Sequence, residues 1–195
     1  DGLDSSLERL RSMQVPTAAQ EIEPPAGLTA QNNAGPIYRD LQGRLEKLGI
    51  RHFGEAVAPA HGLVGTETLK FKKGVTPQQA LDLLPLARQA ADRTHCWFER
   101  EWSLGFELLL PEYAYMKSAS KALCISAEHL ASQGRPAEAL QDLERAHRIA
   151  RHAGEEPLVI GVLVGISCDA IAMATASRLA TIWSDKPKLL AELEE

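Results

Sequence analysis

Only Gly134, Arg135 and Pro136 separate two long helical patterns, and this connection constrains the chain more than any other feature. Before it, Tyr113, Met116, Ser120, Leu123, Ala127 and Leu130 recur on one helical face; after it, Ala139, Leu140, Leu143, Ala146 and Ala150 do the same. Gly134 suits a helix terminus and Pro136 the first turn of the next helix. So short a link leads to an antiparallel hairpin over about residues 112–153, with Leu143 buried between its arms. Small Ala127, Ala139 and Ala146 let the two axes approach closely. Glu144 and Arg148 make a favourable i,i+4 pair, while Glu138 and Asp142 are expected on the wet side.

The rest of the chain also reads as helix. Residues 1–33 join a short amphipathic pattern (Leu3, Leu7, Leu10) to an extended linker in which Pro16, Pro24 and Pro25 exclude continuous helix. A helix starts near Asn33 and Pro36, carries Ile37, Tyr38, Leu41, Leu45 and Leu48, and stops at Gly49. Periodicity is lost over residues 51–75, which are expected to be irregular. Thr76 and Pro77 open a helix running toward Thr94, kinked or split by Pro85. The last long helix spans about residues 157–183, is apolar on nearly all sides at its start, and is expected buried in the middle of a bundle with Gly161 and Gly165 against a neighbour. A short polar helix is expected after Asp185 and Pro187. The fold class is therefore all-α, a single helical domain over residues 34–195 with no significant sheet.

Charge narrows the partners. The 195 residues include 21 basic and 26 acidic side chains, a net charge of −5, which argues against nucleic acid and anionic membrane. The one basic cluster, Lys70, Phe71, Lys72 and Lys73, lacks a glycine-rich phosphate loop and reads as solvated. The apolar run over residues 158–168 is short for a bilayer and meets Asp169 at once, so no transmembrane segment is expected. The chain opens at Asp1 with neither Met nor a basic-then-apolar leader, which is expected of a chain whose upstream segment has been removed.

Ala127, Gly134, Ala139, Leu143 and Ala146 resemble a single tetratricopeptide-type unit over residues 122–153, with no second copy at that period. A broader likeness is carried by Asn33-Ala34-Gly35-Pro36-Ile37-Tyr38, by Cys96-Trp97-Phe98 with Trp102-Ser103-Leu104-Gly105, and by Ala139-Leu140-Gln141-Asp142-Leu143 through Arg151-His152-Ala153-Gly154-Glu155-Glu156-Pro157. On these stretches the chain resembles an uncharacterised family of exported or membrane-anchored helical proteins of planctomycete-like bacteria. Glu99-Arg100-Glu101 departs from the proline-bearing segment expected there. The resemblance implies a helical fold and an upstream anchor in the cell envelope, and it carries over no catalytic residue.

Chemistry is sparse. Cys96, Cys124 and Cys168 form no C-x-x-C pair and leave room for one disulfide; Cys124 and Cys168 sit in apolar helical patterns, as buried thiols do. Glu101-Trp102-Ser103-Leu104-Gly105 lacks the first glycine and the strand of a nucleophile elbow. His95 and Glu99, four apart, lack further ligands, so no metal or cofactor is expected. Trp97, Phe98, Trp102 and Phe106 crowd together as a core plug or, alternatively, a pocket. Asp169 follows an apolar turn and needs a partner such as Arg178, or else is a pocket acid. Two functions follow. The first is a non-enzymatic module for a protein or peptide partner; the second is a small-molecule binder or hydrolase with a pocket of Trp97, Glu99, Glu101, Trp102 and Asp169.

Overall fold

Proline placement sets most of the helix starts. Pro36, Pro77, Pro85 and Pro136 each occupy the first or second position of a helix, where a missing N–H goes unneeded. A computed structural model describes residues 21–61 and 74–184, together with Ser5, Ser6, Glu8, Arg9, Ser12, Met13 and Ala18. Leu3, Leu7, Leu10, the basic cluster at 70–73 and the tail after Ser184 lie outside the described residues.

The order is α1 (Gly35–Leu48), α2 (Phe53–Val57), α3 (Pro77–Leu81), α4 (Leu84–Ala91), α5 (Glu112–Ser132), α6 (Pro136–Ala153) and α7 (Val159–Ile182). The protein is all-α, and among the described residues one isolated bridge, Asn33 with His95, is the nearest approach to sheet. Gly49 caps α1 in the left-handed region, returning its N–H to Leu45 and Glu46. Gln79 closes a capping box on Thr76 at the start of α3. Pro85 splits the expected 76–94 helix, ending α3 at Leu81 and beginning α4 at Leu84. One expectation fails nearby. Residues 53–57 are not irregular but form α2, because Phe53, Ala56 and Val57 are buried in the core and Ser118 Oγ accepts the Phe53 amide at 2.6 Å.

Gly134, at φ +71°, turns α5 into α6, and the Arg135 amide bonds back to Leu130. The two helices pack along their length through Ala119, Ala122, Ala127, Ala139 and Ala146, with Leu123 and Leu143 filling between. Asp142 departs from the wet-side expectation. Its carboxylate is fully buried, because Arg88 reaches it from α4 with two bonds of 2.8 and 2.7 Å and Arg145 adds a third at 3.2 Å.

The last helix also corrects the sequence reading. α7 buries one stripe, Gly161, Gly165, Cys168, Ala172, Thr175 and Leu179, against α5 and α6, and lies at the edge instead of the centre. Its opposite face is open, with Val159, Ile160, Val162, Leu163, Ile166 and Met173 each 43–79% exposed. The helix seats tightly: a Cβ on Gly161 would collide with the Ala153 carbonyl and reach Tyr113 Oη at 2.8 Å, and one on Gly165 would meet the Ala150 carbonyl at 2.7 Å. Gly161→Leu is therefore expected to lower stability by about 1–3 kcal/mol in urea melts. An unchanged midpoint would mean that α7 does not sit this close to α6.

Candidate functional site

The five residues proposed as a pocket do not converge. Trp97 is buried and packs at 5.9 Å against a half-buried Trp102, while Phe98 is buried beneath. Glu99 and Glu101 are exposed, and Glu101 accepts a hydrogen bond from Ser103. Asp169 is 54% exposed on α7 and pairs with His147 of α6 at 2.9 Å. Its expected partner, Arg178, instead pairs with Glu128. Trp97 and Phe98 are buried, whereas Trp102, expected with them in a core plug, is half-buried, and a pocket with converging carboxylates is absent among the described residues.

What surrounds the plug is a polar brace. Residues 95–98 run without helical bonds, so each amide needs another acceptor. His95 N–H donates to the Asn32 carbonyl, Cys96 N–H to Glu155 Oε2, Trp97 N–H to Asn33 Oδ1 and Phe98 N–H to Glu156 Oε1. Asn33 also accepts from Gly35 N–H and donates to the Trp97 carbonyl. A Cβ on Gly35 would collide with that carbonyl, which accounts for glycine there. Glu155 takes the His95 ring N–H with its second oxygen.

Glu156 is 1% exposed, and its charge is balanced internally. Arg100, equally buried, meets it at 2.7–3.0 Å through Nε and Nη2, and Tyr113 Oη donates at 2.9 Å. Burial next to this carboxylate raises the Tyr113 pKa, so the phenol stays a donor. Arg100 stacks over the Phe98 ring at 4.9 Å and extends Nη1 to Glu112 at 3.2 Å. Arg39 closes the cluster from α1, reaching Glu112 and the Glu99 carbonyl. On the other side of the plug, His152 Nε2–H donates to the Arg93 carbonyl at 3.0 Å, which leaves Nδ1 to accept from Tyr38 Oη at 3.0 Å. Burial lowers the His152 pKa to about 4.

Most of these groups are occupied with one another, and Glu112 Oε2 is buried without a donor. Glu155 and Glu156 are saturated by internal donors, and desolvation raises the thiols: Cys124 to about 11, Cys168 to about 12, and Cys96 likewise upward. All three cysteines are free and buried. The buried thiols therefore stay protonated. Helical periodicity points to none of Asn33, Arg100, Glu155 and Glu156 as core, because three of them lie between helices; the clue available is the pair of adjacent acids before Pro157.

The open surface of α7 is the remaining candidate. Val159, Leu163, Ile166, Ala170 and Met173 follow one another at spacings of 4, 3, 4 and 3, the period of a helix–helix seam. The six large side chains expose on the order of 600 Å² of apolar surface, more than the few hundred Å² that isolated monomers commonly show. The helix has 24 residues and a mean hydropathy of 2.0 over its best window, long and apolar enough to cross a membrane by length and composition. The unbroken run at 158–168 understated this, because Asp169 is the sole ionised group between Val159 and Ser177. Comparison with family models, curated proteins and solved structures finds no match for the chain.

Two outcomes are expected of the brace. Glu156→Gln leaves Arg100 undercompensated in the interior and should cost about 3–5 kcal/mol. The exposed Glu138→Gln should stay within about 0.5 kcal/mol in the same urea melts. A comparable loss in both would show that Glu156 is not a buried counterion. Separately, His152 binds its proton less readily folded than unfolded, so its contribution is intact above about pH 6.5 and is lost as pH falls toward 4, by up to about 3 kcal/mol. His152→Gln should flatten the stability profile between pH 7 and 4; a profile as steep as the wild type would assign that acid sensitivity to other groups.

Proposed function

We propose that the protein is a non-enzymatic helical interaction module, that its docking surface is the outer face of α7, and that the occupant is a second copy of the chain. The uncovered seam of Val159, Leu163, Ile166, Ala170 and Met173 carries this reading. An antiparallel pairing about a two-fold axis level with residue 168 sets Ile166 opposite Ala170, Leu163 opposite Met173 and Val159 opposite Ser177. Large then faces small at both ends, and the isologous contact closes on itself. The area approaches the ~800 Å² per partner of a standard interface.

Asp169 and Arg178, the ionised side chains of α7, flank the seam, each tied to a partner of its own chain, His147 and Glu128. The saturated carboxylates and protonated thiols support the non-enzymatic part. The envelope setting belongs to the same proposal and rests on the family resemblance.

Light scattering on a sizing column tests this. The expected mass is twice the 21.3 kDa of one chain, falling to one chain in Ile166→Glu with helix content unchanged. A wild-type protein that stays monomeric at every soluble concentration would overturn the proposal. So would sedimentation of the monomer with neutral phosphatidylcholine vesicles, which would make lipid the occupant.

A further inference from the structure

Beside the brace, and away from the outer face of α7, an open cleft of about 430 Å³ lies between the end of α4 and the last turns of α6. Its walls include Asp92, Arg93, Arg148, Arg151, His152 and Glu155. This volume is within the usual range for small-ligand sites, but the lining is ionic where such sites are mostly apolar. A small, charged ligand suits it.

The decisive feature is an imbalance in how the charges are used. The carboxylates are spoken for: Asp92 takes Arg145 at 2.9 Å on both oxygens, and Glu155 takes the Cys96 amide and the His95 ring. The guanidinium groups are not. Arg151 has no hydrogen-bonded or ion-paired partner among the described residues. Arg148 makes only long contacts, 3.5 Å to Asp92 and 3.4 Å to Glu144. Arg93 gives one N–H to the Gln31 carbonyl and keeps its Nε buried without an acceptor. Arg148 and Arg151 stand one helical turn apart on α6, and Arg93 meets them from the opposite wall.

We infer that this cleft is an oxyanion site and that its ligand is a small phosphate monoester, gripped by Arg93, Arg148 and Arg151. Planar guanidinium forks match the tetrahedral oxygens of phosphate in paired hydrogen bonds, and three of them against two lining carboxylates leave the cleft net positive. The cleft gains its net positive charge in a chain whose overall charge is −5. His152 adds no charge, since burial lowers its pKa to about 4 and its Nδ1 accepts from Tyr38; its ring N–H holds the backbone of Arg93 in place. The arginines also lie near the carbonyl ends of α4 and α6, where cations are favoured without a ligand. That preference does not account for Arg93 and Arg151 facing one cleft with no carboxylate partner among the described residues.

Calorimetric titration of the full chain with inorganic phosphate and with phenyl phosphate, against chloride at matched ionic strength, tests the site. Saturable binding of both phosphates is expected at pH 7.5, weakening below pH 6 as the ligand loses its second charge. Arg151→Gln, an exposed position that should fold normally, is expected to weaken binding at least tenfold. Arg135→Gln, whose arginine pairs with Glu138 on the surface, should bind as the wild type does. General salt effects act on both variants alike, so only a cleft-specific site separates them. Absence of saturable binding, or equal affinity in Arg151→Gln and wild type, would overturn the inference.

Discussion

Burying the Glu156 carboxylate removes it from water, a loss of several kcal/mol unless its hydration is replaced atom for atom. The replacement comes from three places: the Phe98 amide, the Arg100 guanidinium and the Tyr113 hydroxyl. None of these can move without stranding the charge. The carboxylate therefore ties the end of α6, the start of α5 and the extended 95–98 segment into one rigid corner. Asn33 performs the matching task from just before α1, satisfying both the amide and the carbonyl of Trp97. A stretch with no helical bonds of its own can cross a helical core only because side chains stand in for a sheet partner.

Three stretches distant in sequence meet at this corner: the run beginning at Asn33, the one beginning at Cys96, and the link before Pro157. Arg100 supplies the guanidinium of the buried ion pair. The aromatic residues acquire a simple role in consequence. Phe98 is the surface on which Arg39 and Arg100 stack, at 5.5 and 4.9 Å, and Trp97 closes the corner from outside.

Local signals were legible where they were covalent or periodic. The Gly134 to Pro136 turn, the Gly49 terminus, the helix start at Thr76 and Pro77 and the break at Pro85 all follow from local chemistry within a few residues. The errors came from partners distant in sequence. Asp142 looked wet because its neighbours Glu138 and Glu144 are polar, yet Arg88, 54 residues earlier, draws it into the interior. Glu155 and Glu156 sit in a link between helices, where amphipathic patterning has nothing to say. Asp169 misled in the opposite direction: an acid after an apolar turn suggested burial, but the turn faces outward. An apolar stripe records that water is to be avoided, without saying whether the same chain provides the cover.

That distinction governs α7. Its inner stripe is small, Gly161, Gly165, Cys168, Ala172 and Thr175, and its outer stripe is large, so contact inside depends on backbone proximity and contact outside on side-chain bulk. Small inner residues let the helix lie almost against the carbonyls of Ala150 and Ala153. Glu156 is three residues from the first residue of α7, with Pro157 and Leu158 between them, so the fixed carboxylate also fixes where the helix starts and at which rotation. A helix anchored so near its origin has little freedom to roll its apolar outer face inward, because each 100° of rotation would drive a large side chain into the groove that Gly161 and Gly165 keep open. The buried ion pair and the outward seam are in this sense one arrangement: the first determines which face of α7 is left for another molecule to cover.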